Sequence, residues 1–189
     1  MAGRTPVEAF RGFRELVQEA IACFAHTRVT GTSKAPNEPG ILTVNGGKPL
    51  RLQSTEPLID ITCSIKYGIH QASDPDGAQW KVTTLSYIHT VTLDEKSAVE
   101  FHWHPDDGSN IWYPHIHPRL AGSGKDQGGM HIPSGRVLIE DVLIFAHERG
   151  AVPFKQNWEA VVSRIKQRIA AEATWGTPSS LIYRSQSDT

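Results

Sequence analysis

The spacing of the hydrophobic residues predicts a helix followed by a sheet. Over residues 6–24 the apolar positions recur at intervals of three and four, which is the period of an amphipathic helix. Thr5 precedes this run as a suitable N-cap, and Pro6 occupies the first helical position. From residue 59 to residue 69, within the run 58–71, every second residue is apolar or aromatic, which predicts a long strand with one buried face.

Three further runs extend the predicted sheet into an antiparallel meander. Residues 80–93 alternate in two phases, so we expect a bulge near Leu85. Residues 98–104 predict the next strand, and residues 113–120 predict a fourth strand or an extended segment limited by two prolines. Residues 41–44 add one short strand inside a connection rich in glycine and proline.

The C-terminal part of the chain predicts two more helices. Residues 137–149 have a helical period with Gly150 as the stop, and Glu140 lies on an acidic stripe that we expect to face solvent. Residues 158–175 predict a second, more basic helix. The sequence therefore predicts an α+β fold, with a mainly antiparallel sheet of four or five strands, an N-terminal helix and two C-terminal helices.

The composition is that of an ordinary globular domain. The 189 residues are 39% hydrophobic and 21% charged, and we predict a single domain over residues 1–176 with a flexible polar tail at 177–189. The formal net charge of -1 excludes a global positive field that would attract nucleic acid. No apolar run approaches the roughly 20 residues of a membrane span, and Arg4 and Glu8 stand where a secretory signal needs its apolar segment. We therefore expect a cytoplasmic protein without a membrane segment.

Histidine is the residue type that points to chemistry. The two cysteines are too few and too far apart for a disulfide framework, and no pair of them suggests a zinc–thiolate site, so imidazole would bind any metal. Five of the nine histidines lie within residues 102–131. Four of these form two His-x-His pairs, His102 with His104 and His115 with His117.

Each His-x-His pair presents both imidazoles on one side of a strand, because side chains two residues apart share a face. If the two segments pair as a hairpin, the four imidazoles converge at a spacing of about 5 Å. Glu100 extends the first row. His131 follows a glycine-rich segment, residues 122–129, that we expect to act as a mobile lid.

Two chemistries fit this array, and the residues alone do not separate them. In the first, a divalent ion such as Zn, Ni, Mn or Fe serves as cofactor for a small-molecule reaction. Its ligands would be His102, His104, His115 and His117, with Glu100. In the second, the histidines act without a metal as acid and base in the cleavage of a phosphodiester. The catalytic groups would then be His102, His104, His115, His117, His131 and Arg136, with Lys125 and Arg136 neutralising phosphate.

A third hypothesis treats the histidines as surface residues of a non-enzymatic, partner-binding module. The remaining four histidines are assigned no function in any of the three hypotheses. They are His26, His70, His89 and His147.

The order of the histidine segments resembles two bacterial families. The motifs at 102–105, 114–117 and 131–136 (HWHP, PHIH and HIPSGR) resemble an uncharacterised, mainly actinobacterial family with the same order of motifs. More distantly, the strand meander, the histidine segment and the IEDVL sequence at 139–143 are similar to the toxin family called TumE of toxin–antitoxin systems. The resemblance implies a toxin- or defence-type nuclease that acts on RNA or another phosphodiester, with an antitoxin protein as partner. This nuclease is the leading functional prediction.

Overall fold

One sheet and three helices make up the described part of the protein. The computed structural model describes residues 2–36, 38–72, 80–105, 108, 110–119 and 130–172. The strands are β1 Ala2–Gly3, β2 Val29–Thr30, β3 Gly40–Val44, β4 Leu50–Leu52, β5 Ile59–Gln71, β6 Trp80–Leu93, β7 Ser97–Trp103, β8 His115–Arg119 and β9 Ile132–Pro133. The helices are α1 Pro6–Ile21, α2 Ile139–Glu148 and α3 Trp158–Glu172, and Asn45–Gly47 forms a short 3-10 turn.

The strands pair in an antiparallel sheet whose order is β2-β3-β5-β6-β7-β8-β9, with β1 paired to β6 and β4 paired to β5. The register between β5 and β6 shifts where Lys66 faces Ser86 but the next residue, Tyr67, faces Thr84. Leu85 is therefore the extra residue of a bulge, which confirms the bulge predicted near this position.

The helices cover one face of the sheet, and the core lies between them. On α1 the ring of Phe10 stacks on Tyr67 with 5.2 Å between centroids. On α2 the ring of Phe145 meets Phe101 edge-on at 5.7 Å. α3 packs on α1 and α2. We call the opposite side of the sheet the outer face.

The predicted α+β fold is confirmed, but the prediction of four or five strands is wrong, since the described residues form nine. The additional strands β1, β2, β4 and β9 have two or three residues each, which is too short to reveal a period of two. The N-cap prediction is confirmed, because the backbone N–H of Glu8 donates to Thr5 Oγ1 at 3.2 Å. The predicted tail at 177–189 lies outside the described residues.

The predicted solvent exposure of Glu140 on α2 is wrong. Its side chain is 1% exposed, and Oε1 has no hydrogen-bond partner in the described part of the chain. Burial raises the pKa of this carboxyl to about 7. The buried stripe of α2 is wider than its apolar positions alone indicate, because Glu140 lies within it between Ile139 and Leu143.

None of the three described helices is long and apolar enough to cross a membrane.

Candidate metal centre

The histidine site lies on the outer face, where β7, β8 and β9 form one end of the sheet. His102 and His115 are direct partners across β7 and β8, and Glu100 and His117 are partners on the neighbouring rung of the same face. Phe101, between these rungs on β7, belongs to the helix-covered core. Because side chains alternate along a strand, the two histidine rows point away from the helices.

Five imidazoles converge at this place. The centroids of His102 and His115 are 5.7 Å apart, those of His102 and His117 are 4.5 Å apart, and those of His115 and His117 are 4.8 Å apart. His104 lies 5.0 Å from His115, and His131, one residue before β9, lies 4.3 Å from His117. The predicted convergence of the two His-x-His pairs on one face is confirmed.

Three of these histidines have nitrogens close enough to share one ion. The ligand atoms of His102, His115 and His117 all lie within 4.8 Å of one another. The Nδ1–H of His115 donates to the backbone carbonyl oxygen of Tyr113 at 2.8 Å, because a carbonyl can only accept. The Nε2 of His115 is therefore the nitrogen with the lone pair that a metal requires. The Nε2 of His102 is also buried and makes no hydrogen bond within the described residues.

Glu100 lies between His102 and Arg119, a cationic residue that the sequence analysis does not include in the site. Its Oε1 lies 3.0 Å from Nε of Arg119, and its Oε2 lies 3.3 Å from Nε2 of His102. The carboxylate is 13% exposed, whereas the side chain of Arg119 is 64% exposed. Arg119 continues the period of two that begins with His115 and His117, so the sequence contains a signal for its position.

Burial makes the central imidazoles weak bases. Desolvation, followed by the neighbouring His115, lowers the pKa of His102 to about 4. Desolvation also lowers the pKa of His117 to about 4, and Glu100 opposes that shift only in part. Both imidazoles are therefore neutral at pH 7, which is the form that binds a metal ion.

Arg136 does not lie with the histidines. Its guanidinium carbon is 3.7 Å from the centroid of the Trp103 ring. Trp103 is a core residue paired with Tyr87, on the side of β7 opposite His102. The expectation that Arg136 meets a phosphate at the histidine cluster therefore has no geometric support. Lys125 and the predicted lid at 122–129 lie outside the described residues.

The four histidines without a predicted function are not among the five converging imidazoles, although His89 lies on the strand next to His102. His89 is 1% exposed and stacks on Tyr87 at 5.0 Å, on the helix-covered face. Burial, followed by the nearby His102, lowers the pKa of His89 to about 3. The others make local contacts: His26 with Phe154, His70 with Thr83, and His147 with Ala151.

Comparisons of the chain with protein-family models, with curated proteins and with solved structures found no match. The resemblance to the actinobacterial family and to the TumE toxins therefore stays a prediction from the motifs. RNA or an antitoxin protein as a partner likewise stays a prediction.

Proposed function

We propose that the protein is a metal-dependent enzyme acting on a small molecule, with a divalent transition-metal ion held by His102, His115 and His117. The supporting observation is the group of three ligand nitrogens within 4.8 Å of one another. Imidazole binds zinc-type ions at about 2.0–2.1 Å, which puts the nitrogens of a tetrahedral site about 3.4 Å apart. An ion would therefore draw each nitrogen inward by about 1 Å or less.

The donor set favours a catalytic rather than a structural ion. Neutral imidazoles suit Zn, Ni, Cu or Fe better than Mg or Ca. Three protein ligands leave at least one coordination position for a substrate or water. When bound, the ion would supply a Lewis acid that polarises a substrate oxygen or lowers the pKa of water.

The residues of the chain itself would bind the ion, orient its ligands and contact the substrate. The Tyr113 carbonyl fixes the tautomer of His115 from outside the site. His104 and His131 flank the three ligands beside His115 and His117 respectively, where their ring nitrogens can hydrogen-bond a substrate. The packed core behind β7 and β8 keeps the rungs in place, so that the ligands are held before the ion arrives.

The metal-free cleavage of RNA, predicted from the sequence, is the competing hypothesis. It requires one charged and one neutral imidazole near pH 7. Burial lowers the pKa of both His102 and His117 to about 4, so neither of these two would be the charged partner at that pH, and another imidazole of the cluster would have to take that role. We therefore rank this reaction below the metal-dependent one.

Metal binding is the direct test of the proposed function. Protein purified without chelator is examined by elemental analysis, and metal-free protein is titrated calorimetrically with Zn²⁺, Ni²⁺ and Mn²⁺. We expect one ion per chain, and we expect His102→Gln and His117→Gln each to weaken binding by at least about 100-fold. His70→Gln is the matched control, since His70 lies on β5, outside the five-histidine cluster, and contacts Thr83.

Two outcomes would contradict the proposal. One is that the metal-free protein binds none of the three ions. The other is binding that His70→Gln weakens as much as His117→Gln does. Cleavage of an RNA substrate that persists in chelator and is lost in His117→Gln would instead support the metal-free reaction.

A further inference from the structure

Glu100 occupies the fourth corner of the two rungs that hold the three histidines. His102 faces His115 across β7 and β8, and the neighbouring rung of the outer face pairs Glu100 with His117. His104, the fourth ligand predicted from the sequence, lies just beyond the end of β7. Among the described residues, the group of possible ligand atoms within 4.8 Å of one another contains the other three histidines and neither His104 nor Glu100. Glu100 is close to His102 alone, so its carboxylate would have to turn further toward His115 and His117 to complete the centre.

The distance between Glu100 and His102 is that of two ligands on one ion. Oε2 of Glu100 lies 3.3 Å from Nε2 of His102, yet this nitrogen makes no hydrogen bond within the described residues. Two atoms that bind one ion at about 2.1 Å lie about 3.0–3.4 Å apart, depending on its geometry. The oxygen and the nitrogen therefore approach one another as they would around a shared cation.

The other oxygen of Glu100 is held from outside the cluster. Nε of Arg119 forms an ion pair with Oε1 at 3.0 Å, while Oε2 lies on the side of His102. Carboxylates that bind metals are typically oriented by a partner outside the ligand set, and Arg119 is placed to act as one. Arg119 is exposed enough to make this contact without a buried charge of its own.

We propose that Glu100 is the carboxylate ligand of this centre, so that three imidazoles and one carboxylate bind the ion and Arg119 acts as a positioning residue. This inference rests on the proposed three-histidine centre. A mixed nitrogen and oxygen set suits ions that accept six ligands, such as Mn²⁺ or Fe²⁺, and lowers the relative advantage of tetrahedral Zn²⁺. Four protein ligands on a six-coordinate ion leave two positions, enough for a substrate that binds through two oxygen atoms.

Metal selectivity tests the role of Glu100. Metal-free wild-type protein, Glu100→Gln, Arg119→Gln and Glu95→Gln are titrated with Mn²⁺ and with Zn²⁺ by calorimetry, and bound Mn²⁺ is followed by electron paramagnetic resonance. We expect Glu100→Gln to weaken Mn²⁺ binding at least about tenfold more than Zn²⁺ binding, because Mn²⁺ depends more on carboxylate oxygen. Arg119→Gln should weaken Mn²⁺ binding by about tenfold.

The control is Glu95→Gln, which removes an exposed carboxylate that contacts Arg51 rather than the histidines. It should leave both affinities unchanged. Circular dichroism and the melting temperature establish that each variant is folded.

The outcomes separate the two proposals. If wild-type protein binds Zn²⁺ through the histidines and Glu100→Gln changes neither affinity, or lowers both equally, Glu100 is not a ligand and the three-histidine centre stands. If wild-type protein binds neither ion, the centre itself is refuted and the carboxylate ligand with it. An effect of Glu95→Gln equal to that of Glu100→Gln would show that only long-range charge matters, and would also overturn the inference.

Discussion

Replacing Glu140 by Gln should stabilise the protein at neutral and alkaline pH but not in acid. Glu140 is 1% exposed at the start of α2, and its Oε1 lacks a hydrogen-bond partner within the described residues. Its pKa is raised from 4.5 to about 7, chiefly by desolvation. Glutamine has nearly the shape of a protonated glutamate and never ionises, so the variant removes the titration and little else.

The sign of this pH dependence follows from the direction in which the pKa of Glu140 is shifted. Below the unfolded-state pKa of 4.5, Glu140 is protonated in both the folded and the unfolded chain, and it contributes nothing to pH dependence. As the pH rises from 4.5 to about 7, the unfolded chain loses the proton first, so the free energy of unfolding falls. One pKa unit corresponds to about 1.4 kcal/mol, so the loss reaches about 3 kcal/mol above pH 7.

Urea denaturation at pH 4, 6 and 8 measures this difference. We expect wild type and Glu140→Gln to unfold with similar free energies at pH 4, and the variant to be more stable by about 2–3 kcal/mol at pH 8. Glu148→Gln, an exposed position on the same helix, is the matched control and should show no such trend. A difference between Glu140→Gln and wild type that is the same at all three pH values would refute the argument.

Three further predictions concern the core, the first helix and the metal. His89→Phe keeps a ring against Tyr87 and removes a histidine whose pKa is lowered from 6.5 to about 3. As the pH drops from 6.5, the stability of the variant should therefore fall less steeply than that of wild type, by up to about 1.4 kcal/mol per pH unit. Denaturation curves at pH 4 and 7 measure this difference. Thr5→Ala should lower the free energy of unfolding by about 1 kcal/mol, because it removes the acceptor for the Glu8 N–H, and Thr5→Ser should restore most of it. If the proposed centre binds an ion, free metal at about 100 times the dissociation constant should raise the free energy of unfolding by about 2.7 kcal/mol, and calorimetric melting of His117→Gln should show no such gain.

The elements that the sequence predicts well are those with several repeats of one period. β5 alternates over 13 residues and α1 keeps its apolar stripe over 16 residues, so neither depends on what packs against it. β1 and β9 have two residues each and exist only because longer neighbours offer free backbone groups, a property of the assembled sheet. The exposure of Glu140 is predicted wrongly for a related reason, since a helical stripe identifies its polar residues but not how far neighbouring elements cover them.

In the candidate site too, the sequence predicts the position of some residues correctly and of others wrongly. The convergence of His102, His115 and His117 follows from a period of two on paired strands, and the structure places them accordingly. Arg136 follows the histidine motifs in the chain, yet it stacks on Trp103, which alternation turns to the opposite face. Proximity in sequence predicts proximity in space only while the chain stays on one side of the sheet. Arg119 obeys the alternation and lies beside Glu100.

Because β7 carries the core on one side and the site on the other, the choice of histidine decides what a substitution measures. His115 is completely buried, so its removal would leave a cavity and take away the hydrogen bond to the Tyr113 carbonyl in addition to the loss of a ligand. The side chain of His102 is 16% exposed and makes no hydrogen bond through its buried Nε2 within the described residues, so a glutamine there disturbs less of the surrounding structure. A loss of metal affinity in His102→Gln with an unchanged melting temperature of the metal-free protein would therefore report ligation itself. The same loss in a His115 variant would combine ligation with packing.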